Sequence, residues 1–172
     1  SADSPEMRLL ICWRGGLRSR ISAQWLYEAG FAGTRVTGGY KHMRARLLEK
    51  LESPPKFYVL GGLTGSGKTE LLRELPAPSV FDLELYANHR GSSFGLNLNS
   101  VQPSQQTFEN ALGLALYECP PVMAVEAESR MIGRCAIPAS VKAAMDKSPI
   151  VILESTMEER VQRIFAEYVE EP

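Results

Sequence analysis

Short apolar runs and longer stretches with a helical stripe follow one another along this chain. Met7 to Ile11 is an apolar run of strand length, and beyond it Ser22, Trp25, Leu26 and Ala29 fall on one face of a helix that Gly30 stops. Thr34 to Thr37 reads as a short strand. Gly38-Gly39 breaks it before a basic helix over Tyr40 to Leu51, and Ser53-Pro54-Pro55 is the best linker, since consecutive prolines block a helix. Lys56 to Leu60, Val80 to Leu83, Val122 to Val125 and Ile150 to Leu153 then read as strands. Between them come a helix ending near Leu75-Pro76 and a helix capped by Ser104 that buries Phe108, Ala111, Leu112, Ala115 and Leu116. A last helix opens on a Thr156/Glu159 capping box and carries the stripe Val161, Ile164, Phe165, Tyr168 and Val169.

Strands alternating with helices predict an α/β fold: a P-loop NTPase-like parallel sheet with helices on both faces. The expected boundaries are 1–52 for a small first domain, 53–55 for the linker and 56–172 for the main domain. With about two strands and two helices, the first segment is smaller than most independent domains. It reads as the back half of something larger, and the chain as a fragment whose C-terminal end is also cut.

Composition narrows the class. Across 172 residues, 44% hydrophobic and 23% charged side chains describe a globular chain, and a net charge of −1 leaves any nucleic-acid contact to a local patch. The candidate patch is Arg35, Lys41, His42, Arg44, Arg46 and Lys50. Three cysteines without a Cys-x-x-Cys pair argue for free thiols in a reducing compartment. No apolar run approaches the roughly 20 residues of a membrane span, and residues 1–7 lack signal-peptide character. The expectation is a cytoplasmic protein with no membrane contact.

Gly62-Leu63-Thr64-Gly65-Ser66-Gly67-Lys68-Thr69 matches the Walker A pattern in full, with an apolar strand before it and a helix after. Glycines let successive N–H groups converge on one anion, and the helix start adds its positive dipole end. Lys68 is expected on terminal phosphate oxygens, and Thr69 on a Mg²⁺ ion if a nucleotide is bound. Asp82, Glu126 and Glu128, at the ends of apolar runs, are candidates for a metal shell or a base. Arg130 and Arg134 are candidate phosphate clamps. His89 and Arg90, after the Asp82 strand, are candidates to line the site.

Cys12 follows the first apolar run and precedes a helix, within Cys12-Trp13-Arg14-Gly15-Gly16-Leu17-Arg18-Ser19. Such a loop aims N–H groups and a helix start at the sulfur, which favours the thiolate. Arg14 and Arg18 add positive charge that suits a tetrahedral anion. Two chemistries fit. Cys-x5-Arg-Ser is the phosphate loop of cysteine-dependent phosphatases, but Ile11 stands where they carry His. In a rhodanese the cysteine instead handles sulfur or selenium, and Val36-Thr37-Gly38-Gly39-Tyr40 resembles the Gly-Gly turn after the last rhodanese strand. The rhodanese reading is the better one.

Taken together, the cysteine loop, Gly38-Gly39-Tyr40-Lys41 and the Walker A pattern resemble the tRNA 2-selenouridine synthases, as do residues 87–95, residues 126–130 and Ile137-Pro138. In that family a rhodanese domain is fused to a P-loop domain, so the first segment is expected to be the C-terminal half of a rhodanese-like α/β domain. The resemblance implies a selenium transferase that replaces the sulfur of wobble 2-thiouridine in tRNA with selenium from selenophosphate. It also implies an S-geranylated intermediate made from geranyl diphosphate. Carried over, Cys12 is the chalcogen-handling residue, and the P-loop holds geranyl diphosphate, a nucleotide or another phosphate. A P-loop small-molecule kinase and a cysteine-dependent phosphatase are the alternatives.

Overall fold

The computed structural model describes residues 8–89 and 101–166, so Met7, Arg90, Tyr168 and Val169 lie outside the described residues. The chain divides into two compact units, Ser1–Leu47 and Leu48–Pro172.

In the first unit, β1 (Leu9–Leu10) pairs in parallel with β2 (Thr34–Arg35). Both are shorter than their apolar runs, because each has only the other as a ladder partner among the described residues. Helix α1 (Leu17–Glu28) joins them, and Gly30 follows in the left-handed region at φ +83°. Its expected inner face is open instead: Trp25 is 66% exposed and the one buried residue of α1 is Ser19. Helix α2 (Gly39–Glu52) begins in this unit, and its Leu51 belongs to the core of the second.

The second unit is built on a parallel sheet in which β3 (Lys56–Gly61) lies between β4 (Val122–Glu126) and β7 (Ile150–Ile152). Val59 is in register with Val125 on one side and Ile150 on the other. The helices of this unit include α3 (Lys68–Glu74), which packs on β4, α5 (Gln105–Ala115), α6 (Ala139–Asp146), which packs on β3, and α7 (Met157–Phe165). The predicted strand over Val80 to Leu83 is corrected. Val80 makes an isolated bridge to Ala124, and Leu83 opens the short helix α4 (Leu83–Ala87). Asp82 ends the extended stretch by capping α4, its Oδ1 accepting from the Leu85 N–H at 2.9 Å. A hairpin of β5 (Met131–Ile132) and β6 (Cys135–Ala136) and helix α6 are additional to the sequence expectation.

Phe57, Phe81, Phe108, Leu112, Val125 and Val141 form a fully enclosed core, with the Phe57 and Phe81 rings stacked at 5.7 Å. Each such side chain contributes about 1.5–3 kcal/mol by burial. The helical stripe read in α5 is therefore realised. That of α7 is realised in part, since Val161 and Phe165 stay more than half exposed. Burying β3 and β4 holds their C-terminal ends fixed, and it is from those ends that the P-loop and the Glu126 carboxylate project.

Candidate functional site

In the first unit the sulfur of Cys12 lies 3.2 Å from the Ser19 hydroxyl, which sits in the first turn of α1 and is 2% exposed. The Cys12 thiol is lowered from 9.0 to about 7, first by the Ser19 hydroxyl. Burial opposes the shift, and the N–H groups of Ser19, Gly16 and Arg14 add to it. The loop keeps this shape because other groups satisfy its carbonyls. Tyr40 N–H donates to Cys12 O and Lys41 N–H to Trp13 O, both at 2.9 Å. Arg35 Nη1 donates to Gly15 O at 2.5 Å. Gly39 makes the close approach possible: at φ +61°, a Cβ there would stand 2.1 Å from Cys12 O and 2.3 Å from Gly15 N. Arg14 and Arg18 are both exposed beside the sulfur loop. Arg35, read in the sequence as part of the basic patch, braces the loop instead. Lys50, read the same way, lies over the Tyr117 ring at 5.2 Å.

In the second unit the chain turns from Gly61 through Gly62, Leu63, Thr64, Gly65, Ser66 and Gly67 into α3, whose first residues are Lys68 and Thr69. Gly65 is required at φ +76°, where a Cβ would lie 2.6 Å from Arg160 O. The turn is a wrapped cradle. Ser66 is 3% exposed, and its Oγ has no hydrogen-bond partner among the described residues. A buried hydroxyl without a partner fits a loop shaped around an anion. Lys68 Nζ lies against the loop's own carbonyls, 3.1 Å from Gly62 O and 3.2 Å from Leu63 O, and 3.4 Å from Glu126 Oε1.

Beside Lys68, oxygens of Glu84, Glu126 and Glu128 come within 4.8 Å of one another. Burial, then the charge of Glu84, raises Glu126 above the usual carboxylate range, and Lys68 works against that rise. The same two causes push Glu128 up to about 8, so the cluster holds a proton at neutral pH. Hard carboxylate oxygens of this kind suit Mg²⁺. Thr69, Asp82, Glu84, His89 and Glu126 line one cavity of about 440 Å³. His89 Nδ1 is buried there with no partner among the described residues.

The structure thus brings Glu126 and Glu128 together with Lys68 and places Asp82 as the cap of α4. Arg130 is exposed, and Arg134 donates to the Gln102 carbonyl, tying the β5–β6 hairpin to the segment before α5. Sequence reasoning missed Glu84, which α4 turns toward Glu126; its signal was an acid two residues after Asp82. It also missed Arg160 and Arg163 of α7, which bind the P-loop carbonyls of Thr64 (2.8 Å) and Gly65 (3.3 Å).

A parallel sheet whose central strand runs through a wrapped glycine loop into a helix, with acids on the next strand, defines a P-loop α/β domain. Residues 55–172 match the family described as the tRNA 2-selenouridine synthase AAA domain, and the chain belongs to the tRNA 2-selenouridine synthase family. It is 48% identical, over 98% of its length, to the tRNA 2-selenouridine synthase of Marinobacter nauticus, covering 47% of that protein. The Hahella chejuensis protein of the same name is 47% identical over 93% of this chain and 44% of its own. The Pseudomonas syringae one is 46% identical over 93% and 45%. The chain therefore spans somewhat less than half the length of these curated relatives. No solved structure gives a significant match. Among the described residues, no helix is long and apolar enough to cross a membrane.

Proposed function

We propose that this chain carries the thiol and phosphate sites of a tRNA-modifying selenium transferase, which exchanges the sulfur of wobble 2-thiouridine for selenium from selenophosphate. The observation that carries the reading is the Cys12 loop, where Ser19 and the loop N–H groups hold the thiol near 7. About half of such a thiol is thiolate at neutral pH, available to a chalcogen. Arg14 and Arg18 offer guanidinium groups to a tetrahedral donor such as selenophosphate. In the second unit, the amides of Gly65, Gly67, Lys68 and Thr69 bind a diphosphate, that of geranyl diphosphate for an S-geranylated intermediate or that of a nucleotide, while Lys68 neutralises it. Thr69, Glu84, Glu126 and Glu128 would hold Mg²⁺, which supplies charge neutralisation at the phosphates. The exposed Lys41 and His42 of α2 face solvent as candidate tRNA contacts.

The test is selenation of 2-thiouridine tRNA by the full-length enzyme with selenophosphate, followed by nucleoside mass spectrometry. Cys12→Ser is expected to abolish 2-selenouridine, and full activity in that variant would remove Cys12 from the chemistry. The cluster of carboxylates beside Lys68 favours one second reading, a P-loop kinase acting on a small molecule. That reading requires Mg²⁺-dependent ATP binding, and a flat calorimetric titration with ATP refutes it.

A further inference from the structure

Helix α7 lies against the glycine loop, with Arg160 O and Ile164 beside Gly65. Arg160 Nε donates to Thr64 O at 2.8 Å, which fixes one peptide of the loop. Arg163 is held differently. Its Nη1 donates to Gly65 O at 3.3 Å and to Ser155 Oγ at 3.0 Å, and Ser155 Oγ in turn donates to Ser66 O at 3.1 Å. Its Nε lies 3.3 Å from Glu70 Oε2, an ion pair whose carboxylate is 63% exposed. A guanidinium has five N–H donors, so among the described residues these contacts leave the Nη2 amino group over. Its side chain is 33% exposed and opens on a cavity of about 410 Å³ walled by Gly65 to Glu70, Arg73 and Gln162.

The charge of that cavity is one-sided. Among the described residues, Lys68, Arg73 and Arg163 line it, and Glu70 is the one acid in its wall. Glu70 sits in the first turn of α3, with its Oε2 3.3 Å from where a Cβ on Gly67, the N-cap of α3, would be. A carboxylate at that place takes the position to which the helix N-terminus draws an anion. The Ser66 hydroxyl, buried in the same loop with no partner among the described residues, is a second and independent sign that the loop suits an oxyanion. Glu70 is a weakly held, largely solvated counter-ion, and a diphosphate carries more charge to the same guanidinium.

We propose that Arg163 is a direct ligand of the P-loop anion, a second cation that exchanges Glu70 for a diphosphate oxygen when the site fills, whereas Arg160 only positions the loop. This rests on the reading of the loop as a diphosphate site. Two phosphoryl groups suit the arrangement better than one: the amides and Lys68 take the first, and Arg163 with Arg73 takes the second.

The experiment is calorimetric titration of the full-length enzyme with inorganic pyrophosphate, with the melting temperature of each ligand-free variant measured alongside. Lys68→Ala tests the loop itself and is expected to abolish binding. Arg163→Ala is expected to weaken binding at least tenfold, and Arg163→Lys to restore part of it through charge alone. Glu70→Gln is expected to tighten binding several-fold, because it removes the competitor. Arg163→Ala binding like wild type while Lys68→Ala fails overturns this inference and leaves the loop reading standing. Pyrophosphate binding unaffected by Lys68→Ala, or absent from wild type, overturns both. A Glu70→Gln variant that binds as poorly as Arg163→Ala shows a pair that only shapes the loop, and also overturns the inference.

Discussion

The perturbation that most directly tests the thiolate loop is Gly39→Ala, a change of one methyl group outside the loop. Its new Cβ would stand 2.1 Å from Cys12 O, 2.3 Å from Gly15 N and 2.9 Å from Arg14 C. All three are backbone atoms, so no side-chain rotation relieves the overlap and the cysteine loop itself must move. The left-handed φ of +61° adds about 1–2 kcal/mol of backbone cost. Displacing the loop pulls Ser19 and the N–H groups of Arg14 and Gly16 out of register with the sulfur, and these are the groups that lower the thiol from 9.0 to about 7. At pH 7 the thiolate fraction then falls from about one half to about 1%, roughly fiftyfold. A more basic thiolate is a better nucleophile, which returns about eightfold for a Brønsted slope near 0.45. The net expectation is a roughly sixfold slower reaction with an aromatic disulfide at pH 7, and a titration midpoint moved upward by about two pH units. Gly30→Ala is the control: it has the same sign of φ, at +83°, but no atom within 4 Å of the new Cβ, so it carries the backbone cost without moving the midpoint. Far-UV circular dichroism and the melting temperature show whether each variant is folded. A Gly39→Ala protein whose Cys12 still titrates near 7 would refute the claim that the Gly-Gly turn shapes the loop.

Three further outcomes follow from the geometry. Ser19→Ala removes the largest cause of the lowered thiol and should raise the Cys12 midpoint, read from the pH profile of the same disulfide reaction. Phe108→Ala empties a position that is 0% exposed and should lower stability by about 3–5 kcal/mol in urea unfolding. Glu128 is raised from 4.5 to about 8, so between those values the native state holds a proton that the unfolded chain has lost. Its contribution is full below 4.5 and disappears as pH rises toward 8, and Mg²⁺ held as proposed would have to displace that proton. Thermal stabilisation by MgCl₂ should therefore grow across that window, and Glu128→Gln should flatten the dependence.

Where the sequence pattern was dense, it described the molecule well. The stripe Phe108, Leu112 and Leu116 repeats at helical spacing, and all three residues are buried. The capping box of α7 is present as read, with Thr156 N–H donating to Glu159 Oε2 at 3.0 Å. The error at Val80 to Leu83 came from two local rules in conflict. The apolar residues suggest one strand, but Asp82 between them is a strong helix cap, and the cap decides. Helix α6 escaped notice because it is only eight residues long, buries just Val141 and Met145, and starts after Pro138 with no side-chain cap. At the cysteine loop, Ser19 was visible as part of a motif, whereas the brace from Arg35 to Gly15 joins positions 20 residues apart and leaves no periodic trace. Glu84 was hidden for a related reason: its meaning depends on the helix that Asp82 starts.

The glycine loop is spelled by eight consecutive letters, yet the struts that hold its shape are anchored far away. Thr64 is pinned from 96 positions downstream, Gly65 from 98 and Ser66 from 89. Grafting Gly62 to Thr69 onto another strand and helix would thus transplant the spelling without the scaffold. Conversely, a lesion at Ser155, Arg160 or Arg163 would produce the phenotype of a broken Walker motif in a gene whose Walker motif is untouched.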